Sequence, residues 1–443
     1  MGSCLNKLMT NLVNRKVKVM KNRLWKKHLG VLLGGSLLLL QSTSAMAAPQ
    51  EISLDDSIAA ALKNNSAIKM ALTDQQKAEW GIREAKAGTL PSISAGVGGT
   101  HGPDSPASPD GNSYNSSLKL NWTLYSGGRT EGLINQAKIN ADSSELNVAK
   151  TQQQIKLDAT TAYYNVLQTR NMVNVNQEMV NNLTEHLKKV QAQYDVGVVA
   201  KSDVLRSEVE LVNAQQTLTK AQNSFDLAMS TLNNTMGMPL DTENTLKDEL
   251  AYTQTDITVA DAIAQAAANR PELQQSQLGI ESAQQGVKIA DSNSKPTVTF
   301  SAAEGWSGND FPGDKNNWSM NMMANWNIFD SGLTNAKVKQ AKSSLDKAHE
   351  QDTQTRNSVE LEVRQAYLSM KEAETRIGAT QVAVDKATED LKIAQTKYYA
   401  GVGTNLDVID AQLALTQSKT NYTQALYDYN VNKAKLQKAI GQN

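Results

Sequence analysis

The chain has 443 residues, with 44 Lys and Arg against 45 Asp and Glu and a formal net charge of -1. That balance argues against a nucleic-acid binder, which would show a basic face. Aromatic residues make up only 5% of the chain, too few for the core of a compact enzyme of this length but suited to long, thin helical assemblies with small side chains at their contacts.

The first segment reads as a targeting signal. Lys21, Arg23, Lys26 and Lys27 precede an apolar run from Leu29 to Leu40, and Ala45-Met46-Ala47 has the small-x-small form of a cleavage site. The run is short beside the about 20 apolar residues of a spanning helix. Residues 1–47 are therefore expected to be a signal peptide, with Met20 a candidate start and Ala48 the first mature residue. The single cysteine, Cys4, would leave with it, so no disulfide or thiol chemistry is expected. No later apolar run is long enough for a transmembrane helix, so any membrane role falls to strands.

Ser53 looks like an N-cap, with Asp56 three residues on as in a capping box, and predicts a helix to about Gly88. Two strands are predicted next. A segment around Pro91–Gly99 leads, through the polar tip Gly102-Pro103-Asp104-Ser105-Pro106, to Leu118, Leu120, Trp122 and Leu124 alternating with Lys119, Asn121 and Thr123. Period-two patterning sets one face in an apolar medium and the other in water. A helix is then predicted from about Thr130 to Val196, ~100 Å at 1.5 Å per residue. Ile155, Ala159, Ala162, Val166, Val173, Val180, Leu183, Leu187 and Val190 form its expected apolar seam. Gly197 breaks it, and a returning helix follows.

After a linker near residues 238–257 the pattern runs again. Thr258 and Asp261 stand where Ser53 and Asp56 stood, and predict a helix to about Asp291. A segment around Pro296–Gly305, the tip Asn309-Asp310-Phe311-Pro312-Gly313 and an alternating strand from Trp318 to Ile328 complete a second hairpin. Trp122 and Trp326 are 204 residues apart (326 − 122), and about that offset also pairs Gln136-Ala137-Lys138 with Gln340-Ala341-Lys342, Gly197 with Gly401 and Gly237 with Gly441. The chain thus reads as two structural repeats, 48–250 and 251–443, with no long extension after Gly441. Trp122, Trp306, Trp318 and Trp326 all fall in the strand regions, as an interfacial aromatic belt requires.

Two hairpins supply four strands, whereas about eight is the smallest membrane closure. Lipid tolerates no unpaired sheet edge, so several chains must share one barrel, and their helices must supply one another's missing surfaces.

Tyr194-Asp195-Val196-Gly197-Val198-Val199-Ala200-Lys201-Ser202-Asp203-Val204 and the run from Tyr398 to Ala411 resemble the periplasmic-tip turns of TolC-type outer-membrane efflux proteins. The resemblance extends over essentially the whole mature chain. It implies a mainly α fold with a small β part: a homotrimer sharing a transmembrane barrel of about 12 strands, four per chain, continued by a long periplasmic α-helical barrel. It implies an exit duct for a tripartite efflux pump or type I secretion system, not an enzyme. Its partners would be a periplasmic adaptor (membrane fusion) protein, an inner-membrane pump and outer-membrane lipid, with no nucleic acid.

At the tip, Gly197 and Gly401 permit the helix reversals. Asp203, Asp407 and Asp410 stand at the starts of returning helices, where the helix dipole favours an acid without any further role. The resemblance aligns Asp203 with the family's tip-closing network, Tyr398 with its gate tyrosine, and Asp407 and Asp410 with its acidic ring. Tyr194 and Tyr398 also fit plain helix packing. Gly403 stands where the family has its gate arginine, so closure needs other locks.

No cofactor or metal is expected, since His28, His101, His186 and His349 have no metal-ligand spacing. Gly96-Val97-Gly98-Gly99 lacks the third glycine of a dinucleotide loop, and Ser66-x-x-Lys69 has no companion motif. The alternative from another class is a periplasmic coiled-coil tether or adaptor, which needs no lipid-facing strands.

Overall fold

The computed structural model describes residues 50–103 and 111–442. The expected signal segment, Cys4 and most of the first hairpin tip lie outside them. Strand β1 (Gln50–Ile52) leads into α1 (Leu54–Asn64) and α2 (Ser66–Ala87), and the hairpin β2 (Ser92–His101) and β3 (Asn112–Tyr125) into α3 (Arg129–Asp195) and α4 (Lys201–Thr235). After β4 (Asn244–Leu246), the same order recurs as α5 (Val259–Asn269), α6 (Pro271–Asp291), β5 (Thr297–Gly308), β6 (Lys315–Asn325), α7 (Leu333–Tyr399) and α8 (Asn405–Ala439).

The capping box at Ser53 forms, with Asp56 N–H on the Ser53 hydroxyl at 3.2 Å and Ser53 N–H on the Asp56 carboxylate at 3.1 Å. The single helices expected over 53–88 and 258–291 are each broken, which corrects the sequence reading. Asn65 is both the C-cap of α1 and the N-cap of α2, with its side chain accepting from Ala67 N–H at 2.8 Å. At the second break Pro271 opens α6, where its missing N–H costs no hydrogen bond. The breaks receive the ends of the returning helices. Asn65 Nδ2 donates to the Thr235 carbonyl at the end of α4, and the Arg270 guanidinium to the carbonyls of Lys438 and Ala439 at the end of α8. Thus α4 with α2, and α8 with α6, line each long helix along most of its length.

The long helices have 67 residues each and the returning helices 35 each. The upper seam of α3 is as expected, with Ile155, Ala159, Ala162 and Val166 buried. The lower seam is differently phased. Asn176, Met179, Leu183, His186 and Val190 are buried, at alternating spacings of three and four, while Val173, Val180 and Leu187 are only half-buried. The largest core lies midway, where Tyr163, Leu167, Met370 and Tyr429 pack with Ile52, Leu250 and Ala266. The linker is pinned across it: Tyr163 donates to Asp248 at 2.7 Å, Arg170 to the Asp248 carbonyl at 2.7 Å, and Tyr429 to the Thr253 carbonyl at 2.8 Å.

The hairpins join into one antiparallel sheet of order β2-β3-β5-β6. Directly paired residues share a face. One face carries Ile93, Leu120, Ala302 and Met320 on a common rung, with Trp122, Phe300 and Met322 below and Leu118 and Trp318 above. The other carries Ser94, Lys119, Ser301, Ser319 and Asn321. Glu304 is a charged exception on the apolar face; its carboxylate accepts from Asn316, which lies on the same face. Strand β6 stops at Asn325, short of the expected Ile328. Its partner β5 begins at Thr297, after Pro296, which has no N–H with which to continue the ladder. Trp326, just past the strand, instead donates to the Ser294 carbonyl at 3.0 Å, as Trp122 does to Thr89 at 2.9 Å.

Candidate functional site

The end of the helices far from the sheet is built by two turns of one design. Gly197 (φ +76°) and Gly401 (φ +75°) take the left-handed conformation that releases the chain from α3 and α7. Gly197 N–H bonds the Tyr194 carbonyl and Val198 N–H the Gln193 carbonyl, both at 2.8 Å; Gly401 and Val402 repeat this on Tyr398 and Lys397 at 3.0 Å. The second turn is tightened further by Gly403 N–H on the Lys397 carbonyl at 3.1 Å. A Cβ on Gly403 would lie 3.0 Å from the Tyr398 nitrogen and the Lys397 Cβ. The closely folded turn therefore leaves no room for a side chain here without a shift.

The four expected gate residues divide into two groups. Asp407 and Asp410 lie exposed, one turn apart, at the start of α8. Asp407 also closes a capping box, its carboxylate accepting from Thr404 N–H at 2.9 Å while its own N–H bonds the Thr404 hydroxyl at 3.2 Å. The Thr404 backbone and side-chain bonds hold its pKa below the usual carboxylate value. Tyr398 is buried at 5% exposure among Val190, Val204, Leu391 and Val408, and its hydroxyl has no partner among the described residues. Burial, and then the nearby Asp203, raise its pKa. Asp203 enters this region through its backbone, where its carbonyl accepts from Asn405 Nδ2 at 3.1 Å and from the Ser207 hydroxyl at 2.9 Å.

The hub of the tip is a residue the sequence reading passed over. Asn405, the first residue of α8, is 4% exposed and its amide joins three helices. Besides the Asp203 carbonyl, Nδ2 donates to Ser207 Oγ at 3.2 Å, and Oδ1 meets His186 Nε2 at 2.6 Å. The His186 ring is 2% exposed and packs against Tyr398, the rings tilted by 58° with centroids 5.3 Å apart. Next to it Lys189 Nζ lies 4.2 Å from the Tyr399 ring centroid, a cation–π contact between α3 and α7. The signal was present but faint: His186 and Asn176 are polar residues on an otherwise apolar heptad seam, and Asn405 directly follows an N-cap threonine.

The outer membrane efflux protein family matches residues 57–238 and 262–442. The chain belongs to the outer membrane efflux protein family. It is a channel protein of the outer membrane, serving efflux or secretion, and its helices extend into the periplasm. It is 26% identical to the outer membrane protein TolC of Escherichia coli (strain K12) over 435 residues, covering 94% of this chain and 86% of TolC. It is 24% identical over 339 residues to the alkaline protease secretion protein AprF of Pseudomonas aeruginosa, covering 72% of this chain and 68% of AprF. The CmeC outer membrane channel of Campylobacter jejuni shares the fold, with a TM-score of 0.76 at 18% identity over 88% of this chain and 85% of CmeC. With the family established, the tether reading falls.

Proposed function

We propose that this efflux protein works as a homotrimer, the passive exit duct of a tripartite efflux pump or type I secretion system, taking its cargo from a periplasmic adaptor and an inner-membrane pump. The observation that carries the reading is the amphipathic four-stranded sheet, open at both edges and set above helices of 67 residues. In this reading residues 1–47 are removed as a signal and the repeats 48–250 and 251–443 each contribute one hairpin to barrel and tube.

The periplasmic tip is the constriction. Gly197 and Gly401 turn the chain, Asp203 and Tyr398 hold the two hairpins in place, and Asp407 and Asp410 present acids that symmetry repeats around the axis. Rings of acids select cations and bind multivalent blockers. Their exposure and their spacing of one turn support that role, and the capping bond of Asp407 leaves its charge in place. In planar bilayers, the Asp407→Asn/Asp410→Asn double variant is expected to lose most of the block that a trivalent cation imposes on single-channel current. Unchanged block would remove both residues from the constriction.

A further inference from the structure

The two helical hairpins of one chain are laced together along α3 and α8 by side chains meeting at successive levels. Gln168 donates to Gln424 at 2.6 Å, Lys419 to Glu178 at 2.6 Å and Asn182 to Gln412 at 3.1 Å, and His186 meets Asn405 at 2.6 Å. The last level differs from the others. Both of its partners are buried, it lies nearest the turns, and it alone also engages α4 through Ser207 and the Asp203 carbonyl. We propose that the His186–Asn405 bond is the clamp that keeps the two hairpins together at the periplasmic end, and that protonation of His186 releases it. The proposal rests on the reading of the tip as the constriction, and supplies the lock that Gly403 cannot provide.

The hydrogen-bond directions determine the tautomer. The Asn405 amide nitrogen donates to the Asp203 carbonyl, so its oxygen faces His186, and Nε2 must carry the ring proton. Nδ1 is then a bare lone pair. It is buried and has no partner among the described residues. A second proton would create a buried cation that keeps the Nε2 bond to Asn405 but whose Nδ1–H has no acceptor among the described residues, which is costly in a low-dielectric site. Among the described residues the surrounding helices give it no carboxylate contact. On α3 itself Lys189 disfavours the charge; α4 presents Ser207 and the carbonyl of Asp203, whose carboxylate bears on Tyr398; α7 presents Tyr398, and α8 the neutral Asn405. Burial lowers the His186 pKa from the ordinary 6.5, with Lys189 adding to the effect and the Asn405 bond opposing it.

The sign follows from linkage. A histidine that is harder to protonate when clamped binds protons better when released. The clamp is therefore favoured above the ordinary histidine range and weakens as pH falls through and below it.

The test uses the full mature protein in planar bilayers, with the periplasmic side taken from about pH 7.5 to about pH 5.5, across the histidine range. Mean conductance of the wild type is expected to rise several-fold on acidification. His186→Gln, which keeps an amide donor but cannot titrate, should lose that rise. Asn405→Ala should conduct several-fold more than the wild type already at the higher pH. Migration as a heat-modifiable oligomer shows that each variant has assembled, and either variant alone decides the question. A flat wild-type response, a pH response that survives in His186→Gln, or unchanged conductance in Asn405→Ala overturns the clamp. The Asp407→Asn/Asp410→Asn variant separates the two ways of failing. If its cation block shifts while the clamp variants behave as wild type, only the clamp is wrong. If it too is inert, the tip is not the constriction and both readings fall.

Discussion

Arg270 shows how much one side chain can settle in a chain with so thin a core. Its side chain is 3% exposed and holds Glu272 at 2.9 Å and Glu362 at 2.8 Å, while its Nη1 reaches the last carbonyls of α8. Removing one member of a buried ion pair leaves the other charge unpaired, at about 3–5 kcal/mol. Here Glu362 is more than one-third exposed and keeps Lys438 at 2.8 Å, so the lower end applies. Arg270→Gln is expected to destabilise the protein by about 3 kcal/mol, seen as a lowered thermal midpoint of the detergent-solubilised protein. Lys295→Ala, which loses only the exposed pair with Asp291, should cost at most about 0.5 kcal/mol. Equal losses would remove Arg270 from its role as the pin between α8 and α6. At this scale the sequence was partly legible. The Ser53 and Thr258 caps could be read because a cap needs only neighbours a few residues away. Arg270 and His186 could not, because their partners lie on other helices, 92 and 219 residues distant.

Among the elements, the strands were the most legible, since a lipid-facing sheet writes its two environments into alternate residues. The pairing makes this quantitative. Met320 lies on the rung between the Trp122 level and the Trp318 and Trp306 levels, on the apolar face and 69% exposed; Asn321, its neighbour, lies on the opposite face. A lysine on the lipid face near the bilayer midplane costs about 2–4 kcal/mol, and one facing the lumen little. Met320→Lys is therefore expected to reduce assembly into the outer membrane sharply, scored as heat-modifiable oligomer. Asn321→Lys should assemble normally and conduct cations less well, because its added charge lines the lumen. Similar assembly of the two variants would mean that the faces are assigned the wrong way or that the sheet is not in lipid. The helices were legible in length, and α3 in phase along its upper seam but not throughout its lower one. The α3 seam is apolar but interrupted by Gln153, Asn176 and His186, so a hydrophobic period alone slides by one position along its lower part.

At the scale of the molecule, the proposed copy number rests on what a shared barrel would have to enclose. One chain brings four strands. Two copies would make eight (2 × 4), enough to close, but the interior of an eight-stranded barrel is filled by its own side chains. Three copies make twelve (3 × 4) and are the fewest that close around a passage. The internal duplication, visible in the sequence, would space the strands evenly around such a ring. The linker girdle at Asp248 and Thr253 was invisible there, because its hydrogen bonds come from Tyr163, Arg170 and Tyr429 on distant helices. Closure by copies has a specific backbone signature. In a single chain β2 and β6 each leave one edge of amides unpaired; in a closed ring β2 of one copy would meet β6 of the next, and neither strand would keep a free edge. Hydrogen exchange on the detergent-extracted oligomer should then protect β2 and β6 as strongly as the central β3 and β5, and dissociation to monomers should release the two edge strands first. Edge strands that exchange rapidly in the intact oligomer would mean that the copies meet through helices alone and that no shared barrel exists.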